Sequence, residues 1–523
     1  MSDIVLVYPR TGFDAKDMAV TLPLSVLAAA TSAAREFKVR VIDQRIQDDW
    51  EEKLRQELRE RPLCVGLSAM TGTQIHYALQ VSRVAKEAAP EVPVVWGGMH
   101  ATLLPEQTLR HPDVDLVVRG AGETALLELA RALASRGPLD PIRGLAWKAP
   151  DGSIRLNPET DPLDLNALPS VPYELVDVED YVSPSQYLYP GVTRLLPFQG
   201  SRGCPFKCTF CSEPVLTRAY GFRLMKPELF VARTMEMVER HRLDHVLFYD
   251  EEFFVNTKWA AEVAERIGGR YTWWAQTRAN DLLKVDLKHM EACGLKIVAP
   301  GLESGSKRLL EWMRKEETVE EYLETNRRLS ETGIIPQYNL MIGFPGESPE
   351  ELNETVDLAL ALMRGNPRAV INQFSPLTPL PGTEMLRVVV EKFGFQPPET
   401  LEGWSGVARR RLPTPWLQRN KAVYLNLMYS SAFLHTAKRS AKAYWWVPGL
   451  PFDLYGSLVR RRWRRHRYEN TWDTRLIRLA HRFYSPADFV KVPDGSKAPA
   501  HPLRPGAAPG ALIPAQPKEP QPL

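Results

Sequence analysis

Two stretches in which short apolar runs alternate with helical patterns, separated by a proline-rich segment, set the limits on how this 523-residue chain folds. In the first, IVLVYP (4–9), VRVID (39–43), LCVGLSAM (63–70), VPVVWGG (92–98) and VDLVVRG (114–120) read as strands. Helical patterns such as PLSVLAAATSAARE (23–36) and WEEKLRQELRER (50–61) lie between them. Parallel strands carry such unbroken apolar runs because helices cover both of their faces. The expected class is α/β, opening with a doubly wound, Rossmann-like parallel sheet over 1–147. Ligands of such sheets bind beyond the carboxyl ends of the strands. Here those ends carry Ser68, Thr71, Gly97, Gly98, Gly120 and Gly122.

Residues 148–194 hold seven prolines from Pro150 to Pro190 and little periodicity, and read as a wrapping linker with a small hairpin around 144–156. From 195 to 395 the alternation resumes with six further apolar runs, from LLPFQGS to AVINQFSPL. Six βα units fall short of an eight-unit barrel, so a partial (β/α)6 barrel is expected. Residues 396–490 read as a small, mainly helical domain. Within 401–490 there are 17 Lys and Arg against 5 Asp and Glu, and six of the chain's 13 tryptophans. The Pro- and Ala-rich end, 491–523, reads as disordered.

Over the whole chain 66 basic residues face 63 acidic ones, a balance that selects no partner class. No run approaches the ~20 apolar residues needed to span a bilayer. The first residues, MSDIVLVYPRTGFD, lack the basic stretch, apolar core and cleavage site of a signal peptide. Five cysteines make no secreted disulfide framework, and a cytoplasmic location is expected.

Three of those cysteines lie within eight residues, as Cys204-x3-Cys208-x2-Cys211, at the end of an expected strand. Thiolates are soft ligands suited to iron–sulfur clusters, zinc or Cu(I). A structural zinc site takes four ligands, usually as two separated pairs. The remaining cysteines, Cys64 and Cys293, sit in unrelated apolar segments, read as buried inert thiols, and supply no second pair. Three thiolates on a four-iron cluster leave one iron open to another ligand.

This spacing, with Phe210 just before the third cysteine, resembles the signature of the radical S-adenosylmethionine (SAM) superfamily. The resemblance covers roughly 195–390. It implies a [4Fe–4S] cluster on Cys204, Cys208 and Cys211, with the open iron holding SAM and one electron cleaving it to a 5′-deoxyadenosyl radical. YDEEFF (249–254), TRAND (277–281) and GLESGS (301–306) resemble successive strand-end segments of that family. On that resemblance Phe210, Glu251, Arg278 and Glu303 contact SAM. Radical SAM methylthiotransferases carry three more cysteines in their first domain, and only Cys64 stands there in this chain.

VVWGGMHATLLPEQTL (94–109) and VVRGAGETALLEL (117–129) resemble the cobalamin-binding domain that precedes many radical SAM domains. The resemblance implies cobalamin contacts at Ser68, Thr71, Gly97, Gly98, His100, Thr102, Gly120, Gly122 and Glu123. The Asp-x-His-x-x-Gly sequence that supplies a cobalt ligand in some cobalamin proteins is absent, so no lower axial ligand is assigned.

Together these resemblances imply a cobalamin-dependent radical SAM enzyme that methylates an unactivated carbon of a small-molecule, lipid, tetrapyrrole or peptide substrate. The substrate is expected between the first sheet's strand ends and the barrel mouth, with the C-terminal region as a candidate lid. An external electron donor such as flavodoxin or ferredoxin is implied. Relatives of the same architecture include the anaerobic magnesium-protoporphyrin ester cyclase, so oxidative cyclisation without methyl transfer is the close alternative. A different class is an idle iron–sulfur protein that binds nucleic acid or a membrane. The runs RRR (409–411) and VRRRWRRHRYEN (459–470) fit a membrane surface or an amphipathic anionic substrate better than nucleic acid, since no RNA-binding module is present. They equally fit a solvated helix face whose tryptophans fill a small core.

Overall fold

The computed structural model describes residues 2–12, 21–182, 192–372, 374–407, 414–434, 449–469 and 475. Strands β1 (Ile4–Tyr8), β2 (Val39–Asp43), β3 (Cys64–Ser68), β4 (Val94–Gly97) and β5 (Leu116–Val118) form a parallel sheet in the order β2-β1-β3-β4-β5. All but the edge strand β2 are apolar runs buried by the helices Leu24–Ala33 and Gly122–Ser135 on one side and Trp50–Arg59 and Thr73–Ala88 on the other; in β2 Arg40 is exposed. The hairpin of β6 (Leu145–Lys148) and β7 (Ile154–Leu156) joins this sheet antiparallel to β5, so the sheet runs on past residue 147. The Asp151 side chain accepts from Ser153 N at the hairpin tip, closing the turn locally.

The second sheet is the open barrel. Strands β8 (Leu195–Phe198), β11 (His245–Phe248), β12 (Thr272–Thr277), β13 (Leu295–Glu303) and β14 (Ile335–Ile342) lie side by side, all parallel. The sixth position is divided between two short strands, β15 (Val370–Ile371) and β16 (Ser375–Pro376), both paired with β14. A small ribbon of β9 (Ser201–Arg202) and β10 (Arg223–Leu224) brackets the cysteine loop. Local signals set the helix starts: Thr318 with Glu321 and Ser348 with Glu351 form reciprocal capping boxes at Val319–Ser330 and Pro349–Gly365.

The units share apolar packing. One core runs from Ile4, Leu27 and Leu126 of the first sheet through Phe198, Phe248 and Trp273 of the barrel, with Leu165 and Tyr181 of the intervening segment inside it. The basic C-terminal stretch does not form a separate body among the described residues. Helices Lys421–Ser430 and Gly449–Trp463 pack on the β14 side of the barrel, where the Trp463 ring lies edge-on to Phe374. Leu401–Trp404 instead returns to the first sheet, where Trp404 donates to Gln107 Oε1 at 2.7 Å. Trp404 and Trp463 are fully buried and Trp416 donates to Gly343 O, so these three fill cores rather than offering stacking faces. Arg409–Arg411, Trp445, Trp446, Trp472 and the tail 491–523 lie outside the described residues. No helix among the described residues is long and apolar enough to cross a membrane.

Candidate functional site

The carboxyl ends of the two sheets face each other. Between them lies a cleft of about 420 Å3, walled on one side by Ser68, Gly97, Gly98, Thr102, Gly120, Gly122 and Glu123 and on the other by Arg202, Gly203, Glu213 and Glu251. The first wall is built from residues without bulk. Gly98 turns at φ +85°, a left-handed backbone that glycine adopts without cost, and a Cβ there would sit 2.6 Å from Ser68 Oγ. Gly97 has only carbonyl oxygens near its missing Cβ, and Gly122 lies against Ala29, so backbone is exposed to the cleft. Thr102 holds the shape by donating to Gly98 O and accepting from Gly120 N, both at 2.9 Å. Leu6, Val26, Val95, Val118 and Leu126 line the deeper part. A shallow apolar floor with a glycine rim fits a large flat macrocycle whose polar edge hydrogen-bonds to backbone, which is what cobalamin offers.

Two of the expected cobalamin contacts fall elsewhere. His100 has no exposed surface and lies behind the cleft, its Nδ1 3.0 Å from Thr71 Oγ1 and its ring edge-on to Trp404. Burial lowers its pKa from 6.5 to about 3, so the ring is neutral. Thr71 is turned toward His100 and is also absent from the cleft wall. The GGMH segment begins a helix, Gly98–Leu103, and its helical turn carries His100 inward while leaving Met99 on the cleft. Glu123 does reach the wall, where it is buried and paired with Arg202 of the barrel at 3.1 Å.

The cysteine loop leaves β9 directly. Gly203, at φ +80°, lets Cys204 N donate to Thr217 Oγ1 at 2.8 Å; a Cβ on Gly203 would lie 2.7 Å from that oxygen. Cys211 N donates to Cys208 O, and Glu213 N points at Cys211 Sγ, 3.4 Å away. The three thiols are half-buried. Burial pushes Cys204 up to about 12 and raises Cys208 and Cys211 as well, so bare thiolates are costly there and call for positive charge. Among the described residues no three His, Cys, Asp or Glu side chains converge on one metal ion. A closed zinc site takes four converging ligands, whereas in a cluster each thiolate meets a different iron, so three thiols on one loop suit a cluster better.

Beside the loop lies a buried charge network. Arg278 is 3% exposed, with its guanidinium 3.9 Å from the centre of the Phe206 ring. It donates to Lys315 O and lies 3.8 Å from Glu317. Lys315 reaches Glu317 at 3.4 Å and Glu303 at 3.6 Å. Glu252 is buried beside Thr277, and burial pushes it up to about 8. Arg278 Nη1, Glu252 Oε1 and Asn280 Oδ1 are buried without a hydrogen-bond partner, and Arg278 Nε and Glu317 Oε2 meet only as loose ion pairs. Such a concentration of unmet donors and acceptors marks a place for a polar ligand, and the zwitterionic, hydroxyl-bearing SAM supplies the complementary groups.

Of the four residues expected at SAM, Arg278 and Glu303 lie in this network. Phe210 is half-buried and packs against the apolar core on the β14 side of the barrel. Glu251 turns to the cleft, where it stands by Glu213; burial and Glu251 push Glu213 up, and Arg202 pulls it back. Lys315, Glu317, Glu252, Glu213 and Arg202 went unmarked in the sequence: the resemblance in YDEEFF singles out Glu251 alone, and RKEET (314–318) lies outside the segments that resemble the family.

The comparisons with known proteins agree with this geometry. The radical SAM superfamily model matches residues 198–359, and the B12 binding domain model matches 13–130. An uncharacterised methyltransferase of Pyrococcus horikoshii is 30% identical over 393 residues, 73% of this chain and 82% of that one. The anaerobic magnesium-protoporphyrin IX monomethyl ester cyclase of Rubrivivax gelatinosus is 28% identical over 370 residues, 68% of this chain and 65% of that one. Among solved structures, the radical SAM methyltransferase TsrM of Kitasatospora setae, with cobalamin and a [4Fe–4S] cluster bound, has the same fold, with a TM-score of 0.59 at 21% identity over 75% of each chain. With a glycine-rimmed cleft on the first sheet and a three-cysteine loop facing it, the chain belongs to the cobalamin-binding radical SAM enzymes, whose cofactors are a [4Fe–4S] cluster, SAM and cobalamin.

Proposed function

We propose that this protein transfers a methyl group to an unactivated carbon of a small-molecule or amphipathic anionic substrate. The observation that carries the proposal is a cleft walled by both sheets, with Gly97, Gly98 and Gly122 on one side and Arg202, Gly203 and Glu213 on the other. When bound, cobalamin supplies a transferable methyl group, and SAM with the cluster supplies the hydrogen-abstracting radical.

The chain's own residues do the rest. Cys204, Cys208 and Cys211 hold the cluster. Arg278 and Glu303 orient SAM, and Lys315 fixes Glu303 from behind. The backbone at Gly97, Gly98, Gly120 and Gly122, with Ser68 and Thr102, cradles the macrocycle. Glu123 and Arg202 pin the two walls at a fixed spacing. The apolar lining, Leu22, Val26 and Leu126 among it, excludes water from the reacting centre.

Finer attributes belong to the same proposal. The electron donor is a flavodoxin or ferredoxin. The setting is cytoplasmic, supported by five unpaired thiols. An anionic membrane surface meets the basic C-terminal region, where Arg461, Arg464 and Arg465 are exposed near Leu454 and Leu458.

Oxidative cyclisation is the second reading, favoured by the similarity to the cyclase. Cells with and without this chain, fed methionine carrying a deuterated methyl group, separate the two. A metabolite that depends on the chain and carries the intact labelled methyl supports methyl transfer. A chain-dependent product without the label overturns it in favour of oxidation.

A further inference from the structure

A side chamber of about 250 Å3 opens from the main cleft and shares Leu24, Ala28, Gln199 and Arg202 with it. It lies between the helix Pro227–His241, the strand β8 and the segment around Ser170–Glu174. Its inner wall is apolar, with Val171, Phe198, Met225 and Phe230. Its polar groups are unevenly charged. Glu236 is taken up by Arg240 at 2.6 Å, and Arg202 by Glu123 at 3.1 Å.

Arg233 is left over. Its Nη2 donates to Leu168 O at 2.6 Å and its Nη1 lies 4.0 Å from Met225 Sδ, but no carboxylate acts on it. Burial lowers its pKa, and only Tyr173 pulls it back up. Tyr173 stands edge-on to Phe198 with ring centres 6.1 Å apart, and both Arg233 and Arg202 act on its hydroxyl. One guanidinium without a carboxylate partner, one phenol and a second guanidinium therefore stand with Val171, Phe198, Met225 and Phe230 in a chamber whose remaining charged groups, Glu174 and the Glu236–Arg240 pair, are exposed. An unpaired cation at a partly desolvated wall favours an anionic partner.

We propose that this chamber is the anchor for the anionic head of the substrate, a carboxylate or phosphate on an apolar body. Arg233 is its charge partner, and Tyr173 and Arg202 are its further donors. The hydrocarbon next to the head packs on Val171, Phe198 and Phe230, and the rest of the molecule passes Gln199 into the cleft. The assignment rests on the reading of the cleft as the place of reaction. The same chemistry could come from the phosphate of cobalamin itself, and the test separates the two sources.

The test is calorimetric titration of the full chain, purified without oxygen and loaded with cluster and cobalamin, against octyl phosphate, octanoate and octylamine. Both anions are expected to bind and the amine not. Arg233→Met should weaken the anions about tenfold or more, the loss expected for a charge-assisted pair, with iron and cobalamin content unchanged. Arg233→Lys, which keeps the charge, should recover part of the affinity, and guards against a folding defect in the methionine variant. Unchanged anion binding in Arg233→Met, or equal binding of octylamine, overturns the proposal. Anion binding seen in cobalamin-free protein but abolished by cobalamin would assign the chamber to the cofactor's phosphate and overturn the substrate assignment. None of these readouts needs turnover. A chain that binds octyl phosphate through Arg233 but fails the labelled-methyl experiment keeps the anchor and loses only the reaction.

Discussion

Glu303 ends β13 with φ +67°, a conformation in which a residue with a side chain is strained. Two neighbours hold it there. Lys315 lies 3.6 Å from its carboxylate, and Gly301 leaves open the space that the carboxylate occupies, since a Cβ on Gly301 would collide with Glu303 Oε1. Removing either support should release the carboxylate. We expect Lys315→Met to weaken SAM binding about tenfold, as for loss of a bond to a charged group, with the absorbance and iron content of the cluster unchanged. Lys315→Arg should retain most of the affinity. Gly301→Ala should weaken SAM binding in the same way without removing a charge. Equilibrium dialysis with labelled SAM checks all three.

His100 gives a second residue-scale prediction, on stability. Its folded pKa of about 3 lies below the ordinary 6.5. Between those values the unfolded chain holds a proton that the folded chain lacks, so stability falls as pH drops from about 6.5 toward 3. His100→Gln, which does not titrate, should flatten that part of the pH dependence, as read from thermal unfolding midpoints between pH 7 and 4.5. An identical slope in the variant would show that another group carries it. Neither role was legible in the sequence. Lys315 stands among four charges in RKEET, and only the turn after the helix Lys307–Trp312 buries it. His100 stands next to the glycines that form the cleft, and only the helical turn from Gly98 carries it away from them.

At the scale of elements, much of the fold was legible because parallel strands announce themselves. Cys64–Ser68 and Val94–Gly97 are unbroken apolar runs with glycine or serine at their ends, and their helices are amphipathic enough to read. What failed was the direction of side chains just past a strand. Glu251 and Glu252 are neighbours in sequence, yet one faces the cleft and the other lies buried against Thr277. A one-residue step past the end of β11 reverses the side, and apolar periodicity carries no information there. The C-terminal tryptophans stayed open in the sequence for a related reason: a Trp among arginines reads the same whether it covers a core, as Trp463 does, or waits for a ligand. The glycine turn after β4 is the element on which the first wall depends. Gly98→Ala adds left-handed strain and a Cβ within 2.8 Å of Ala69 N. We expect it to cost about 2 kcal/mol, the range for a strained and overpacked position, read as a lowered urea midpoint, and to lose cobalamin.

At the scale of the whole molecule, the two sheets are welded rather than tethered. A common core runs from Leu27 to Phe198, Glu123 pairs with Arg202, and Trp404 returns from beyond the barrel to Gln107 of the first sheet. The separation of the two walls is thereby fixed by packing, which is what chemistry between two large cofactors requires. Yet the walls differ in chemistry, one of glycine backbone and the other of charged side chains beside the cysteine loop. The most direct measurement is the cobalamin and iron content of protein isolated without oxygen from cells supplied with the vitamin, for the wild type, Cys208→Ala and Gly122→Leu. We expect about one cobalamin and four irons per wild-type chain, the content of one [4Fe–4S] cluster. Cys208→Ala should lose iron and keep cobalamin. Gly122→Leu, which fills the cleft beside Ala29, should lose cobalamin and keep iron. A wild-type chain with its iron intact and no cobalamin, or a Gly122→Leu variant that still holds cobalamin, would contradict the placement of cobalamin in this cleft.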